Sequence, residues 1–424
     1  MPTIKCRAPF PASAPLLGTA LLAALLLTMA SPQSKADDPA LPRSLAEAIR
    51  MERADALPRT AFFETPSLAA SKPGDLLRQE TFAGYTLPSG AGAVRILYHS
   101  KSADGLDVAT SGVVLIPSGT APAGGWPVIA WAHGTTGVAR MCAPSLQKDV
   151  AYGEEGLMPM VRAGFAVVAT DYHGLGTIGP HEYVNKIAQG RDVIYSIPAA
   201  RAAVPSLGRK WAVVGHSQGG LAAWSVAEMQ ATLHDPDYVG AVSVAGAANL
   251  KVILTEMGDP GSSVAYYLEY MAYAIHARSP AFQPDDMLAG EALRRYPEVT
   301  TKGCWDYGYA SFLKPPPGSG SVVKAGWDRT QAAEQFFKDN ELGAAPVGGP
   351  LLVIAGEADA TVPLASIRET VQKACRNAIA LTFRSYPGLD HDPTMERSTP
   401  DQLAWIRDRL AGKPSTSNCA TLDP

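Results

Sequence analysis

The chain has 424 residues, with 36 Lys and Arg against 40 Asp and Glu, a formal net charge of −4 and no basic patch, so nucleic-acid binding through phosphate contacts is excluded. Hydrophobic residues make up 46% of it, which places it among globular proteins, and its length exceeds the usual single core. One large domain with a sizeable insertion, or two domains, is therefore expected.

At the N-terminus, Lys5 and Arg7 precede an uncharged run from Leu16 to Met29, followed by small-residue cleavage options after Ala30 or Ala36. This is the pattern of a secretory signal peptide over residues 1–36. The apolar run is shorter than the roughly 20 residues a membrane span needs, and no lipidatable Cys sits at the expected cleavage point. A secreted or periplasmic protein is expected. Losing Lys5 and Arg7 takes the charge from −4 to −6, and losing Lys35 as well takes it to −7. Losing Cys6 leaves Cys142, Cys304, Cys375 and Cys419, an even number in an exported chain, so two disulfides are expected from three allowed pairings.

Beyond the signal, AVRILYHS (93–100) and LDVATSGVVLIP (106–117) read as strands joined by the turn-like SADG, an antiparallel start. Then follow WPVIAWAHG (strand), VAYGEEGLMPMVRAG (helix), FAVVATDY (strand), RDVIYSIPAARAAV (helix), WAVVGH (strand), a helix after Ser217 and VGAVSVAG (strand). This βαβ rhythm predicts an α/β fold with a mostly parallel sheet covered by helices on both faces. It breaks at about Asn249. From 249 to 349 come helical segments and proline-glycine loops such as LKPPPGSGS, until GPLLVIAGEAD resumes a buried strand, a helix covers 364–376, and ALTFRSYPG is the last strand. The expected organisation is thus a core over 37–248, a mainly helical cap inserted at 249–349, and the rest of the core with its tail over 350–424. Cys142 follows the loop HGTTG and Cys304 lies in the cap, so pairing them would pin cap to core; Cys375, ending a late helix, then pairs with Cys419 in the tail.

Chemistry centres on VVGHSQGG (Val213–Gly220). With 39 glycines in the chain, a G-x-S-x-G match arises by composition on the order of once in four or five such chains, so context must decide. Here a β-branched run precedes it and an apolar helical pattern follows, and strand, tight turn, helix is the setting of a nucleophile elbow. A serine hydroxyl needs a base, and the base needs an acid to fix its tautomer. In a parallel-sheet hydrolase both follow the serine in chain order, each after a later strand. Of the eight histidines only His234, His276 and His391 come after Ser217, and only His391, in YPGLDHDPT, sits in a loop after the last strand. Beyond the preceding strand, LLVIAGEADATVP offers Glu357 and Asp359, of which Asp359, three residues past the strand end in a loop closed by Pro363, is the expected acid. Asp390 and Asp392 are expected to shape the His391 loop or face solvent. The tetrahedral oxyanion requires two backbone donors: the residue after the nucleophile, Gln218, and Thr135 in the loop HGTTG (His133–Gly137). The loop DYHGLG (171–176) at the same sheet edge reads as structural.

Taken together, GHSQGG, AWAHGTTG followed by MCAPS, VVATDYHGLGTIGPH, KPGDLLR (72–78), GEADATVP and the late His391 resemble the secretory lipase family, the group similar to fungal lipase A, across roughly residues 60–410. That resemblance implies an α/β-hydrolase fold with a large helical cap, ester hydrolysis through Ser217, Asp359 and His391, and no metal or other cofactor.

Within the cap, SVAYYLEYMAYAIHA (263–277) is apolar or aromatic on nearly every side. Val264, Tyr267, Leu268, Met271 and Ile275 share one helical face, and Tyr266, Tyr270 and Tyr273 share another. Either face could be plain cap core or could wall an acyl site, with Tyr266, Tyr270 and Tyr273 as candidate substrate contacts. The expected function is a secreted lipase- or esterase-like carboxylic ester hydrolase. Its substrate would be a small-molecule or lipid ester, met in solution or at a lipid–water interface. A serine peptidase, an acyltransferase or a non-enzymatic binder on the same fold are the alternatives, and the oligomeric state is left open.

Overall fold

The computed structural model describes residues 41–424 apart from 259–261, 263, 314–320, 378–379 and 423–424. The expected signal segment lies outside the described residues. Nine strands form one sheet: β1 (Leu76–Thr81), β2 (Gly92–Lys101), β3 (Asp107–Ile116), β4 (Trp126–Ala132), β5 (Ala166–Thr170), β6 (Leu207–His216), β7 (Tyr238–Val244), β8 (Leu351–Gly356) and β9 (Leu381–Tyr386). They lie in the order β1-β2-β3-β5-β4-β6-β7-β8-β9. The first three are antiparallel neighbours and β3 is antiparallel to β5; every pairing from β5 onward to β9 is parallel.

The helices are α1 (Leu45–Asp55), α2 (Met158–Arg162), α3 (Lys186–Ala203), α4 (Gln218–Leu233), α5 (Leu250–Met257), α6 (Tyr267–Arg278), α7 (Pro284–Met287), α8 (Gly290–Val299), α9 (Trp305–Ser311), α10 (Gln331–Asp339), α11 (Leu364–Cys375) and α12 (His391–Leu410). Side chains alternate across each strand, so a sheet covered on both faces must bury both alternating sets. In β4, Val128, Ala130 and Ala132 pack with residues of α3 and α4, whereas Ile129 and Trp131 pack with residues of α2 and α12. The same split recurs in β8, with Leu351 and Val353 on one face and Leu352 and Ile354 on the other. This is why these strands read as continuous apolar runs.

Neighbouring strands β7 and β8 are separated in the chain by α5 to α10, and among the described residues no strand lies between them. Within this helical layer α6 is buried at nearly every position, because α5, α7, α8 and α10 all contact it; an apolar pattern on every side is what such a position demands. Cys142 is bonded to Cys304 at the start of α9, and Cys375 at the end of α11 to Cys419 in the tail.

Two elements differ from the sequence expectation. β1 carries LLRQET with a half-exposed pattern, an edge strand with too little apolar content to announce itself. The chain after β9 is not a loop around His391: α12 begins at His391 itself and runs for 20 residues. Pro393 and Pro400 obscure it in the sequence, but Pro393 lies in the first turn, where a missing N–H removes no helical hydrogen bond.

Candidate active site

Strand β6 delivers Ser217 to a turn at φ 58° and ψ −118°, a conformation that L-residues rarely adopt, and α4 starts at the next residue. The glycines of the motif make this turn possible. A Cβ on Gly215 would stand 1.9 Å from the carbonyl oxygen of Gly219, and one on Gly219 would stand 1.8 Å from that of Ala132. The Ser217 amide donates to Val244 O (3.0 Å), and its carbonyl accepts from Gly220 (2.9 Å) and Ala247 (3.1 Å). The elbow is thus fixed by backbone bonds on three sides.

His391 Nδ1 lies 2.8 Å from Asp359 Oδ2, and both side chains are buried. The other oxygen of Asp359 accepts from the amides of Thr361 (2.9 Å) and Val362 (2.7 Å), which fixes the carboxylate. Asp390, the cap of α12, accepts from the amides of His391 (2.8 Å) and Ala360 (3.0 Å) and so ties the two loops together. Asp392 is exposed. Glu357 is exposed and accepts from Ser385 instead.

Because a carboxylate can only accept, Nδ1 of His391 carries the hydrogen, and Nε2 presents a lone pair. That Nε2 is buried and has no hydrogen-bond partner. Burial by itself would lower the imidazole's pKa, but the Asp359 charge and its hydrogen bond outweigh burial and hold it above the ordinary value.

Gln218 is the first residue of α4, so its N–H has no intrahelical acceptor. Thr135, in the loop after β4, shares a cavity with Ser217 and Gln218, and its hydroxyl lies 2.7 Å from that of Tyr183. The neighbouring Gly134 must lack a side chain, since a Cβ there would stand 1.9 Å from Tyr152 Oη. Asp171 of the DYHGLG loop is buried and accepts from Ser111 (2.6 Å) and from the amide of Ser145 (2.8 Å), a structural role.

The cavity's wall departs from expectation. Tyr266, Tyr270 and Tyr273 do not line it. Tyr266 packs against Tyr267, Trp305 and Tyr309, Tyr270 donates to Cys304 O (3.0 Å), and the Tyr273 hydroxyl accepts from the His181 amide (3.2 Å). From α6 it is the opposite face that contributes, through Tyr267 and Met271. Helical spacing groups residues by face but does not say which face turns toward Ser217. The largest apolar share of the wall comes from α5, through Leu250, Ile253, Leu254 and Met257. Their i, i+3, i+4, i+7 spacing directly after the break at Asn249 was a legible signal of an amphipathic helix.

His216, beside the serine, packs its ring 4.6 Å from that of His391. Burial lowers its pKa to about 4, so the ring is neutral. Its Nε2 faces the His391 carbonyl (3.3 Å) and its Nδ1 the Tyr152 hydroxyl (3.0 Å). Among the described residues His216, His391 and Asp392 bring potential metal-ligand atoms within 4.8 Å of one another. Both nitrogens of His216 and Nδ1 of His391 are already engaged, so this set has only one free imidazole nitrogen to offer a metal.

Residues 145–418 match the sequence profile of the family described as Secretory lipase. The chain is 23% identical over 385 residues to a protein of Mycobacterium tuberculosis (strain CDC 1551 / Oshkosh) named "Probable inactive lipase", spanning 84% of this chain and 83% of that one. Candida antarctica lipase A in its closed state is similar in structure, with a TM-score of 0.71 at 18% identity, over 87% of this chain and 90% of that one. So is a ligand-bound form of the rice cell wall degrading esterase LipA of Xanthomonas oryzae, with a TM-score of 0.66 at 17% identity, over 81% of this chain and all (100%) of that one. The fold shared with these proteins is the α/β-hydrolase fold.

Proposed function

The chain belongs to the secretory lipase family, whose members are lipase-like hydrolases, and from that premise we propose that it is an exported serine carboxylic ester hydrolase working through an acyl-enzyme on Ser217. His391 Nε2 takes the Ser217 proton as Oγ attacks the ester carbonyl. The amides of Gln218 and Thr135 receive the developing oxyanion. Collapse expels the alcohol, which leaves with the proton held on His391, and water then attacks the acyl-enzyme by the same route in reverse. Asp359 keeps Nδ1 protonated and stabilises the imidazolium without itself taking the proton. Export rests on the basic and apolar N-terminal sequence of residues 1–36.

The observation that carries this reading is the Asp359–His391 pair (2.8 Å), whose outer nitrogen is buried and unpartnered while the strained Ser217 waits in the same chain order. One relative is named a probable inactive lipase, so the reading rests on the Ser217, Asp359 and His391 side chains of this chain and on the tests of them below. The cavity wall of Leu250, Ile253, Leu254, Met257 and Met271 supports an acyl ester over a sugar or a charged peptide.

Treatment with a fluorophosphonate probe tests the nucleophile. A serine hydrolase labels at Ser217 and loses activity, whereas a binding protein does not label. Turnover of p-nitrophenyl esters without cleavage of peptide amides is the expected outcome, and amide cleavage at comparable efficiency would replace the esterase reading with a peptidase.

A further inference from the structure

The side chains of Gln218 and Thr135 are both held by one short stretch, His181 to Tyr183, in the connection between β5 and α3. Gln218 Nε2 lies 3.2 Å from His181 Nε2, and the Thr135 hydroxyl lies 2.7 Å from that of Tyr183. The proton positions at His181 follow from its partners. Nδ1 faces the His173 carbonyl at 3.1 Å and must donate, so Nε2 is the acceptor and the Gln218 amide the donor. Burial holds His181 neutral, with its pKa lowered to about 3, consistent with that tautomer.

Glu182, between the two, anchors the stretch. It lies 2.9 Å from His173 Nε2 and also accepts from the Ala103 amide (2.9 Å), while His173 Nδ1 lies 2.8 Å from Asp192. Asp192 is fully buried and accepts from Thr110 and Ser100 as well. Burial opposes a charge on His173, but the two carboxylates outweigh it and raise its pKa to about 10, so a buried cation lies between two anions. The cluster's histidines thus stand at the two ends of HGLGTIGPH (173–181), with Glu182 and Tyr183 directly after it.

Backbone geometry gives independent support. Tyr172 and Val184, which bracket this assembly, have φ values of 60° and 45°, and for a β-branched valine that is an outlier. A Cβ on Gly174 would stand 2.4 Å from the His181 amide nitrogen. Strain of this kind persists only where the surroundings over-determine the conformation, and it gathers near functional sites.

We propose that His181 and Tyr183 are positioning residues that brace the oxyanion hole, one holding Gln218 and the other Thr135, with the His173–Glu182–Asp192 cluster as their common anchor. This rests on the ester-hydrolase reading above. Neither residue is assigned contact with the reacting atoms; each fixes the peptide that carries a donor amide. The brace therefore matters more in the transition state, where charge sits on the oxygen, than in the bound ester.

The test uses the purified full chain, p-nitrophenyl butyrate, and a trifluoromethyl ketone that adds Ser217 Oγ to its carbonyl and leaves an oxyanion in the hole. Tyr183→Phe and His181→Ala should each lower kcat about tenfold or more while KM stays within about threefold, and affinity for the ketone should weaken by the same factor as kcat/KM. His181→Gln, which can still accept from Gln218, should recover much of kcat, whereas His181→Leu should not. A purely structural role would not split kcat from KM or track the ketone. If both variants keep kcat within about twofold of the parent, or raise KM alone, the brace is wrong. Should His181→Ala not fold, Tyr183→Phe, which deletes one hydroxyl, decides alone. Ser217→Ala run alongside separates the two ideas: turnover near the parent's there removes the acyl-enzyme reading at Ser217, while a loss of about three orders of magnitude in Ser217→Ala beside fully active Tyr183→Phe and His181→Ala removes only the brace.

Discussion

His391 donates from Nδ1 to Asp359 across 2.8 Å in a buried setting, and the imidazole is held above its ordinary pKa as a result. As a general base His391 must be neutral, so kcat/KM should rise with pH along a limb whose midpoint lies above the roughly 6.5 of free imidazole. Asp359→Asn removes the charge that raises it, so the limb should move down in pH while activity falls by orders of magnitude. The stability linkage has the opposite sense: a raised folded-state pKa stabilises fully below the unfolded value and is lost as pH rises through the folded one. A pH–rate profile of parent and Asp359→Asn checks the shift, and an unmoved limb would assign it to another group.

Ser217 should be indispensable for chemistry yet unfavourable for stability. Ser217→Ala should lose at least about three orders of magnitude in ester turnover with its fold intact. Ser217→Gly should be equally inactive but more thermostable than Ser217→Ala, since a non-glycine residue in a sparsely populated backbone region costs roughly 1–3 kcal/mol. Melting curves of the two variants, compared at equal concentration, test the strain separately from the chemistry.

The Cys142–Cys304 bond closes a chain separation of 162 residues and Cys375–Cys419 one of 44. The chain-entropy relation gives upper values of about 5 and about 4 kcal/mol for them. Paired Cys→Ser variants should therefore lower stability to denaturant, the first pair more than the second. Peptide mapping without reduction should recover these two linked pairs, and finding Cys142 joined to Cys375 or Cys419 would contradict them.

Acyl preference should be written in α5. Each methylene buried against Leu250, Ile253, Leu254 and Met257 in the transition state adds up to about 0.8 kcal/mol, or roughly a fourfold gain in kcat/KM. Efficiency on p-nitrophenyl esters should climb from acetate to medium chains before the cavity fills. Tyr266→Phe and Tyr273→Phe should leave that profile unchanged, because neither ring lines the cavity, whereas Leu254→Ala should shift it. A steady fall from acetate onward would leave a short-chain esterase.

Glu269, in the first turn of α6, is fully buried and neither carboxylate oxygen has a hydrogen-bond partner. Burial raises its pKa to about 9, with Arg295 of α8 pulling it down and Glu291 pushing it up. A raised carboxylate pKa destabilises the fold increasingly as pH climbs above the unfolded-state value. Glu269→Gln should accordingly raise Tm more at pH about 8 than at pH about 5. An equal gain at both would mean that ionisation of Glu269 does not burden the fold.

The sequence by itself determined the architecture, because a strand buried on both faces must be apolar throughout and a covering helix must be apolar at helical spacing, both local patterns. It also singled out Ser217, since the glycines that permit its backbone turn are its immediate neighbours, and it narrowed the other candidates to Asp359, Glu357 and His391 through chain order. The sequence also favoured Asp359 over Glu357 and the pairs Cys142–Cys304 and Cys375–Cys419, and the tertiary structure has the Asp359–His391 contact and those two bonds; the tertiary structure alone decided that His391 opens a helix. It alone turned Tyr267 and Met271 toward the cavity and Tyr266, Tyr270 and Tyr273 away, and brought His181 and Tyr183 to Gln218 and Thr135. Those contacts join residues 37 and 48 positions apart, and no periodicity records a meeting made through space.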